Sequence, residues 1–290
     1  MTGNAHLRAR AESLSAPLPA LLVGARHLAA SMVLGAHGRR RPGQGDEFWQ
    51  YRPLVQGDEA REIDWRRSGR SDGYFVRQRE WQAAQSVTLW VDGGRSMSFA
   101  SGQGPEKGHR AAELALALAI LMVRGGERVG LSGHDLPPRA GEIQLLRLAT
   151  ALEATVDGSD YGTPNAREMP PRGRAVFLSD FLGDLEPVRD ALTAAADRGV
   201  SGALVQVLDP QEEAFPFDGR TVFESMGGSL RHETLKASDL RGRYLQRLAE
   251  RKDALADLAR RTGWQYQCHH TDRPATGALM WLYSALERVI

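Results

Sequence analysis

From residue 86 onward, short apolar runs alternate with longer segments whose apolar residues recur at helical spacing. This alternation limits the fold most, because strands joined by helices pair in parallel and need helices on both faces of the sheet. We therefore predict an α/β fold with a doubly wound, mostly parallel sheet. The predicted strands are Val87–Val91, Arg128–Ser132, Ala175–Leu178, Gly202–Leu208 and Trp264–Cys268, the predicted helices are Lys107–Arg124, Glu142–Glu153, Leu185–Arg198, Asp239–Arg261 and Ala275–Val289, and a hairpin pairs Thr221–Glu224 with Leu230–His232.

The charge balance and the cysteine content exclude several classes of protein. The 290 residues include 37 basic and 36 acidic side chains, so no overall field attracts nucleic acid or an anionic membrane surface. No apolar stretch reaches the roughly 20 residues that a membrane-spanning helix needs, and the N-terminus shows no secretory signal pattern. Cys268 is the only cysteine, which excludes an internal disulfide. These features predict a cytoplasmic protein without a direct membrane span.

The sequence pattern divides the chain into three segments. Residues 1–36 carry leucines at helical spacing, which predicts an N-terminal helical segment. Residues 37–85 alternate polar and aromatic positions without a helical stripe, which predicts a small β subregion. Residues 86–290 contain the alternating strands and helices. The predicted architecture is thus one doubly wound domain preceded by a small helical and β subregion.

Two of the predicted strands lead into an aspartate. Asp92 directly follows the first strand, and Asp180 lies two residues beyond a later one. Ligands of parallel sheets bind where the strands end, so both carboxylates are expected in one site. Hydroxyl groups lie in the loops between them, and oxygen ligands of this kind suit a hard cation such as Mg²⁺, Mn²⁺ or Ca²⁺. The candidate metal ligands are Asp92, Ser96, Ser98, Thr163 and Asp180.

The order of these residues resembles the metal-ion-dependent adhesion site of von Willebrand factor A domains. That pattern has Asp-x-Ser-x-Ser after the first strand, a threonine in a middle loop and an aspartate after a later strand. Here Gly94 stands where the first serine belongs, and only 16 residues separate Thr163 from Asp180. Two alternatives stay open. The site either is degenerate and still binds a cation, or is vestigial, with Asp92 hydrogen-bonded to its own turn.

A charged stretch precedes the first strand of the main domain. Residues 57–70, here called the charged signature, read Gly-Asp-Glu-Ala-Arg-Glu-Ile-Asp-Trp-Arg-Arg-Ser-Gly-Arg. Together with Tyr51-Arg52 before it and Ser179-Asp180-Phe181 later, the signature resembles the fingerprint of the DUF58 family of bacterial proteins. In that family the fingerprint lies immediately before a von Willebrand A-like domain, and the resemblance covers roughly residues 40–285. The candidate partner-binding or signature residues are Asp58, Arg61, Asp64, Trp65 and Arg70.

The family resemblance implies a function in which this chain is not the catalyst. Such proteins look like partners of MoxR-type AAA+ ATPases, which are proposed to aid assembly of client proteins or metal insertion into them. The chain would then be an assembly adaptor that binds the ATPase or a client through its strand-end face. Within the signature, the arginines either pair with neighbouring carboxylates or bind an acidic partner, for which the planar guanidinium is suited.

Three other motifs are interpreted without a chemical role. Gly102–Gly108 lacks the Gly-Lys-Ser/Thr end of a phosphate-binding loop and is interpreted as the flexible start of a helix. Cys268 and His269 are adjacent on a predicted strand and point to opposite faces, so the Cys-His-His run is interpreted as a coincidence. His109 and His134 are isolated, and the sequence has no visible Ser-His-Asp order.

We therefore predict a non-enzymatic interaction adaptor and keep two alternatives. The first is a metal-dependent hydrolase in which Asp92 and Asp180 hold the ion that activates water. The missing serine ligand and the lack of a visible general base argue against it. The second is a structural interaction protein with a dead metal site, which the glycine at position 94 favours.

Overall fold

The computed structural model describes residues 20–32, 42–55, 58–70, 73–80, 84–154, 158–228 and 231–287. At residues 42–50, 62 and 77–80 it describes the backbone. The chain divides into two compact units, a smaller one of residues 34–84 and a larger one formed by the segments on either side.

The elements are numbered along the chain. The helices are α1 (Ala20–Ala30), α2 (Trp65–Ser68), α3 (Lys107–Arg124), α4 (Glu142–Ala154), α5 (Glu186–Asp197), α6 (Pro210–Ala214), α7 (Ser238–Arg261) and α8 (Ala275–Glu287). The strands are β1 (Pro42–Pro53), β2 (Phe75–Glu80), β3 (Ser86–Val91), β4 (Arg128–Leu131), β5 (Leu136–Arg139), β6 (Arg174–Ser179), β7 (Ser201–Leu208), β8 (Thr221–Glu224), β9 (Arg231–Thr234) and β10 (Gln265–His270).

The larger unit is built on a six-stranded sheet with the order β10-β7-β6-β3-β4-β5. Five strands run parallel, and β5 pairs antiparallel with β4 at one edge. The chain extends from β3 through β4 to β5 and then returns to place β6 on the other side of β3. This reversal makes the crevice between β3 and β6 the topological switch point, where ligands of such sheets bind. The predicted doubly wound α/β fold is confirmed.

Helices cover both faces of this sheet. On one face Leu89 and Val176 pack with residues of α1, α3, α4 and α8, and on the other Trp90 and Phe177 pack with residues of α5 and α7. Burial on two faces explains why the strands appear as continuous apolar runs. Helix α3 is buried on most of its surface, which explains its apolar sequence. In the part of the chain that the structure describes, no helix combines the length and apolar character needed to cross a bilayer.

Three elements differ from the sequence reading. Helix α1 packs against α3 and α4 and so belongs with the larger unit rather than with a subregion before residue 86, while residues 1–19 lie outside the described residues. Strand β5 was not expected because it contains two prolines, which are tolerated only at an edge. The five-residue helix α6 is too short to show periodicity, and a capping box of Asp209 and Glu212 stabilises its start.

The smaller unit contains one antiparallel strand pair. Strands β1 and β2 pair with an irregular register, so that Arg52 lies opposite Val76 and Pro53 opposite Phe75. Between them the chain forms the one-turn helix α2, and Ile63 makes an isolated bridge to Val76. The predicted short strands and the charged signature therefore form one small unit of their own.

Two glycines should respond in opposite ways to replacement by alanine. A Cβ on Gly202 in β7 would lie 1.8 Å from the carbonyl oxygen of Ala175 in β6. Gly202→Ala should therefore lower the free energy of unfolding by about 1–3 kcal/mol or more, because the strands must separate. A Cβ on Gly242 in α7 would meet no atom within 4 Å, so Gly242→Ala should raise it by about 0.5–1 kcal/mol. Urea unfolding measures both changes, and an unaltered Gly202→Ala would contradict this strand packing.

Candidate functional site

The structure places Asp92 and Asp180 side by side at the topological switch point. Strands β3 and β6 are parallel neighbours, with Val91 opposite Leu178, and each aspartate comes just after its strand. Both residues are buried, with exposed fractions of 3% and 0%. Two carboxylates in such a place need hydrogen-bond donors or cations, because burial of an unpaired charge is costly.

The Asp92 carboxylate receives its donors from the protein. Its Oδ1 accepts hydrogen bonds from the backbone N–H groups of Gly94 at 2.7 Å and Gly162 at 2.9 Å. Its Oδ2 accepts one from the hydroxyl of Ser179 at 2.6 Å. Burial raises the pKa of the Asp92 carboxyl, and the nearby Asp180 adds to this, while the three hydrogen bonds act in the opposite direction. Asp92 therefore ties the turn after β3 to the end of β6 and to the loop at residue 162.

Packing explains why position 94 is a glycine. The N–H groups of Arg95 and Ser96 donate to the carbonyl oxygens of Ser159 at 3.0 Å and Asp160 at 2.9 Å, which fastens the loop at residues 158–162 onto this turn. A Cβ on Gly94 would lie 2.8 Å from backbone atoms of residues 160–162, closer than such atoms approach. A serine at this position would therefore collide with the loop.

A buried lysine supplies the positive charge at the switch point. Lys107, the first residue of α3, is 1% exposed, and its Nζ donates to Asp180 Oδ2 at 2.8 Å and to Glu212 Oε1 at 2.6 Å. Burial lowers the pKa of Lys107, but the two carboxylates outweigh burial and raise the pKa overall, so the amine stays protonated. Burial raises the pKa of Glu212. The ammonium and its carboxylates thus form an internally paired cluster.

Four of the five candidate metal ligands line two different cavities at this edge of the sheet. Ser96 and Asp180 line one cavity, whereas Asp92 and Ser98 line another. Thr163 is exposed and lines neither of these two cavities. Octahedral coordination requires oxygen ligands that converge on the ion. Binding of a cation by these five side chains, or by fewer of them, stays a prediction.

A cavity of about 630 Å³ lies at this edge of the sheet. Phe215 is central to its wall, with its ring centre 5.6 Å from that of Phe223 and 4.9 Å from that of Tyr244. A cavity of this size with an apolar lining is the usual form of a binding site for small molecules or inserted side chains. The apolar and aromatic residues around it include Phe99, Tyr161, Leu182, Phe215, Phe217, Phe223, Met226, Leu240 and Tyr244.

Two arginines of α7 also line this cavity. Arg243 and Arg247 are one helical turn apart and therefore lie on the same side of the helix. Both side chains are exposed, and neither forms an ion pair with a residue that the structure describes. Glu224 and His232, from the hairpin of β8 and β9, add further polar groups. The cavity thus combines an apolar wall with two positive charges that remain available to a ligand.

Sequence reasoning missed most of the residues that define this cavity. Lys107 is visible in the sequence only as the lysine of a loop that fails as a phosphate-binding motif. A cation in the first turn of a helix opposes the helix dipole. The position of Lys107 at the start of a predicted helix therefore indicates that its ammonium needs a nearby carboxylate. The convergence of Phe215, Phe223 and Tyr244 depends on how the hairpin and α7 pack, which no local pattern encodes.

In the smaller unit, Asp58 pairs with Arg52 rather than with an arginine of the charged signature. Two hydrogen bonds of 2.6 Å join the guanidinium to the carboxylate, and the N–H of Val55 donates to Asp58 at 2.8 Å. These hydrogen bonds lower the pKa of Asp58 to about 2. Asp58 therefore stabilises the chain that follows β1, and its signature neighbour Gly57 lies outside the described residues.

Asp64 is the N-cap of α2. Its Oδ1 accepts a hydrogen bond from the N–H of Arg67 at 2.9 Å, and its Oδ2 accepts one from the hydroxyl of Tyr51 at 3.1 Å. The hydroxyl of Ser68 donates to the Asp64 carbonyl oxygen and accepts from the N–H of Phe75. The Ile-Asp-Trp centre of the signature thus has a structural reason: Asp64 joins α2 to both strands of the small unit.

Other signature residues face solvent. Trp65 is 62% exposed and meets Tyr74 edge to face, with ring centres 6.0 Å apart. Arg61 pairs with Glu59, whereas Arg70 is exposed and forms no ion pair within the described part of the chain. Arg61 thus pairs within the signature, and binding of an acidic partner by the other arginines stays a prediction.

Solved structures with similar folds have low overall similarity to this chain. An aerotolerance-related membrane protein from Bacteroides fragilis aligns with a TM-score of 0.39 and 14% identity, over 70% of this chain and 98% of that protein. BatB, a conserved hypothetical protein from Bacteroides thetaiotaomicron, aligns with a TM-score of 0.37 and 15% identity, over 69% and 96%. Both scores are below 0.5, and nothing further is concluded from them.

Comparisons at the level of sequence identify the family of this chain. Uncharacterized proteins of Mycobacterium bovis and Mycobacterium tuberculosis are each 28% identical over 274 residues, which cover 90% of this chain and 86% of the relative. The family model described as "Protein of unknown function DUF58" matches residues 50–254, more than half of the chain. This match includes the charged signature, both strand-end aspartates and Lys107. The chain therefore belongs to the DUF58 family.

Proposed function

We propose that this protein is a non-catalytic adaptor that binds a partner protein at the carboxyl edge of the sheet in its larger unit. The observation that carries the proposal is the aromatic cavity at this edge. Three of the charged groups that line it, Lys107, Asp180 and Glu212, are paired with one another. An apolar cavity offers a place for a partner's side chain, whereas a catalyst needs a group ready to transfer a proton or attack a substrate.

The matching partner surface is an acidic segment that carries a bulky apolar side chain. The apolar side chain would enter the aromatic cavity, and the carboxylates would meet Arg243 and Arg247. Arginine suits this role because its guanidinium binds a carboxylate through two hydrogen bonds at once. Charges at the rim of an interface chiefly guide association and select the partner, while the buried apolar group supplies most of the affinity.

A MoxR-type AAA+ ATPase is the partner that the family resemblance suggests, with a client protein as the other candidate. ATP chemistry would belong to that partner, because Lys107 at the end of the Gly102–Gly108 loop is buried against two carboxylates and unavailable to a phosphate. The proposal keeps the cytoplasm, which the sequence predicts, as the compartment of this chain. The von Willebrand A-like likeness supports the same edge of the sheet as the contact surface.

The adaptor would work without a divalent cation. Lys107 supplies a positive charge to Asp180, Asp92 has three protein donors, and the loop packed on Gly94 leaves no room for a serine ligand. These features favour the dead metal site over the hydrolase alternative. A hydrolase would need Asp92 and Asp180 to bind an ion that activates water, and protein groups engage both carboxylates.

Isothermal titration with Mg²⁺ and Mn²⁺ tests the metal-free part of this proposal. We expect no saturable heat from the wild type and no difference in Asp92→Ala. Gly94→Ser serves as a second variant, and we expect it to lose stability without gaining a binding site, because the added side chain meets backbone atoms 2.8 Å away. Saturable binding that Asp92→Ala abolishes would contradict the proposal and favour the adhesion-type site.

Replacement of Lys107 by methionine should destabilise the larger unit strongly. The variant leaves Asp180 and Glu212 buried without their cation, so the free energy of unfolding should fall by about 3–5 kcal/mol at neutral pH. Without the ammonium, burial holds the folded-state pKa of the Glu212 carboxyl further above the unfolded value, and the folded state then binds more protons. Stability of the variant should therefore decrease as the pH rises, and the deficit should be smaller near pH 5 than near pH 7.

Urea unfolding at the two pH values measures this effect. The double variant Lys107→Met/Asp180→Asn is the matched control, because removing the second charge should restore part of the lost stability at neutral pH. A loss below about 1 kcal/mol, the range of exposed pairs, would contradict a buried ion pair at this site.

Charge reversal on α7 tests the docking surface. We expect Arg243→Glu and Arg247→Glu together to weaken binding of a purified MoxR-type ATPase at least about tenfold, because like charges would then face each other. Arg241→Glu is the control, since this exposed arginine lies on the same helix and does not line the cavity. Biolayer interferometry gives the affinities. If the double variant binds as well as the control, the cavity is not the contact surface, and Trp65→Ala then tests the charged signature.

A further inference from the structure

Three side chains with metal-binding atoms meet near the end of β10. They are Glu213, Cys268 and His270, and one ligand atom of each lies within 4.8 Å of the others. All three residues are half-buried, so an ion could reach them from solvent without crossing the core. They lie outside the cavity assigned to the adaptor function.

The fold explains why these residues converge, although the Cys-His-His run has no metal-ligand spacing in the sequence. Cys268 and His269 do point to opposite faces, since they are neighbours on a strand. Residues two apart share a face, however, so Cys268 and His270 lie on the same side of β10. The third group comes from α6, whose start is fixed by the capping box that Glu212 forms with Asp209.

We propose that Glu213, Cys268 and His270 form a binding site for a zinc-class divalent cation. Thiolate sulfur, imidazole nitrogen and carboxylate oxygen are the ligands that zinc takes from proteins, in tetrahedral geometry. Three protein ligands leave the fourth position to water, as in zinc sites that stay open to a further ligand. The two negative ligands balance the charge of the ion, and the sulfur favours Zn²⁺ or Co²⁺ over Mg²⁺ or Ca²⁺.

Both oxygens of the Glu213 carboxylate have contacts in the structure. Lys252 donates to Glu213 Oε1 at 2.5 Å, and His270 Nε2 contacts the other carboxylate oxygen, Oε2. The ion would take the place between the imidazole and that oxygen. Lys252 also contacts the Cys268 sulfur, and its ammonium would leave the sulfur when the ion binds. Its hydrogen bond to Glu213 would remain, and such outer hydrogen bonds orient metal ligands.

Proton release gives the site a distinctive pH dependence. Cysteine binds a metal ion as the thiolate, so the Cys268 thiol must lose its proton. When the ion binds, the S–H bond breaks, the sulfur electron pair bonds to the metal and one proton passes to the buffer. The apparent affinity should therefore rise with pH.

Cobalt titration of the chelator-treated full chain tests the proposal. Cys268 is the only cysteine of the chain, so a thiolate-to-cobalt absorption band has a single source. We expect this band to grow to one equivalent of Co²⁺ and to disappear when Zn²⁺ displaces the cobalt. Titrations at two pH values should show the expected change in affinity.

Three variants and one control complete the experiment. Cys268→Ser should abolish the thiolate band, and Glu213→Gln and His270→Ala should each weaken binding by at least roughly tenfold, since loss of even an outer partner costs about 10–100-fold. His109→Ala, at an exposed histidine outside the cluster, should bind as the wild type does. Circular dichroism confirms that each variant folds, and Glu213→Gln leaves the sheet untouched should Cys268→Ser fail to fold.

Two results would overturn the proposal. One is the lack of a thiolate band from the folded wild type at any cobalt concentration up to the millimolar range. The other is cobalt binding that Glu213→Gln and His270→Ala leave unchanged. Either result would identify the cluster as an ion-pair network of Glu213 with Lys252 and His270 alone.

Discussion

The buried ion pairs of Lys107 are the interaction on which the carboxyl edge of the sheet depends. Asp180 and Glu212 come from two different segments, and Asp92 adds a third buried carboxyl group nearby. Without a cation these groups would repel one another in a region that water cannot screen. Because the cation is the first residue of α3, the central helix of one core layer, the pairing also fixes where that helix begins relative to β6. One ammonium thus joins the hydrophobic core to the proposed binding edge.

An internal cation changes how this edge can recognise a partner. An adhesion-type site shares its ion with a carboxylate of the ligand, so its affinity depends on the metal. Here an internal ammonium already pairs with two carboxylates at the switch point, and recognition in the proposed adaptor depends on the aromatic cavity and on the arginines of α7. The packing around Gly94 also removes a metal ligand from this edge. A loop occupies the space of the missing serine, and its N–H at Gly162 satisfies the carboxylate that a metal would otherwise bind.

The sequence was informative where burial repeats along the chain. Helix α3 has the predicted bounds, and β3, β6 and β7 lie within one residue of their predicted ends, because strands buried on two faces are continuous apolar runs. The strand-end rule likewise located Asp92 and Asp180. The cation that pairs with Asp180 could not be predicted, since Lys107 lies 73 positions from Asp180 and 105 from Glu212 and meets both only through tertiary packing. Glu213 was missed for a related reason, because α6 is a single capped turn without periodicity.

Helix α6 is where the two proposed sites meet. Its neighbouring residues Glu212 and Glu213 point to different partners, one to Lys107 and the other to Lys252 and His270. A capping box fixes the start of this five-residue helix, and a displacement of the helix would move both carboxylates. An ion that draws Glu213 toward Cys268 would therefore alter the pairing of Lys107 beside the cavity. Linkage requires the reverse as well: a partner seated in the cavity would change the affinity for the ion by the same factor.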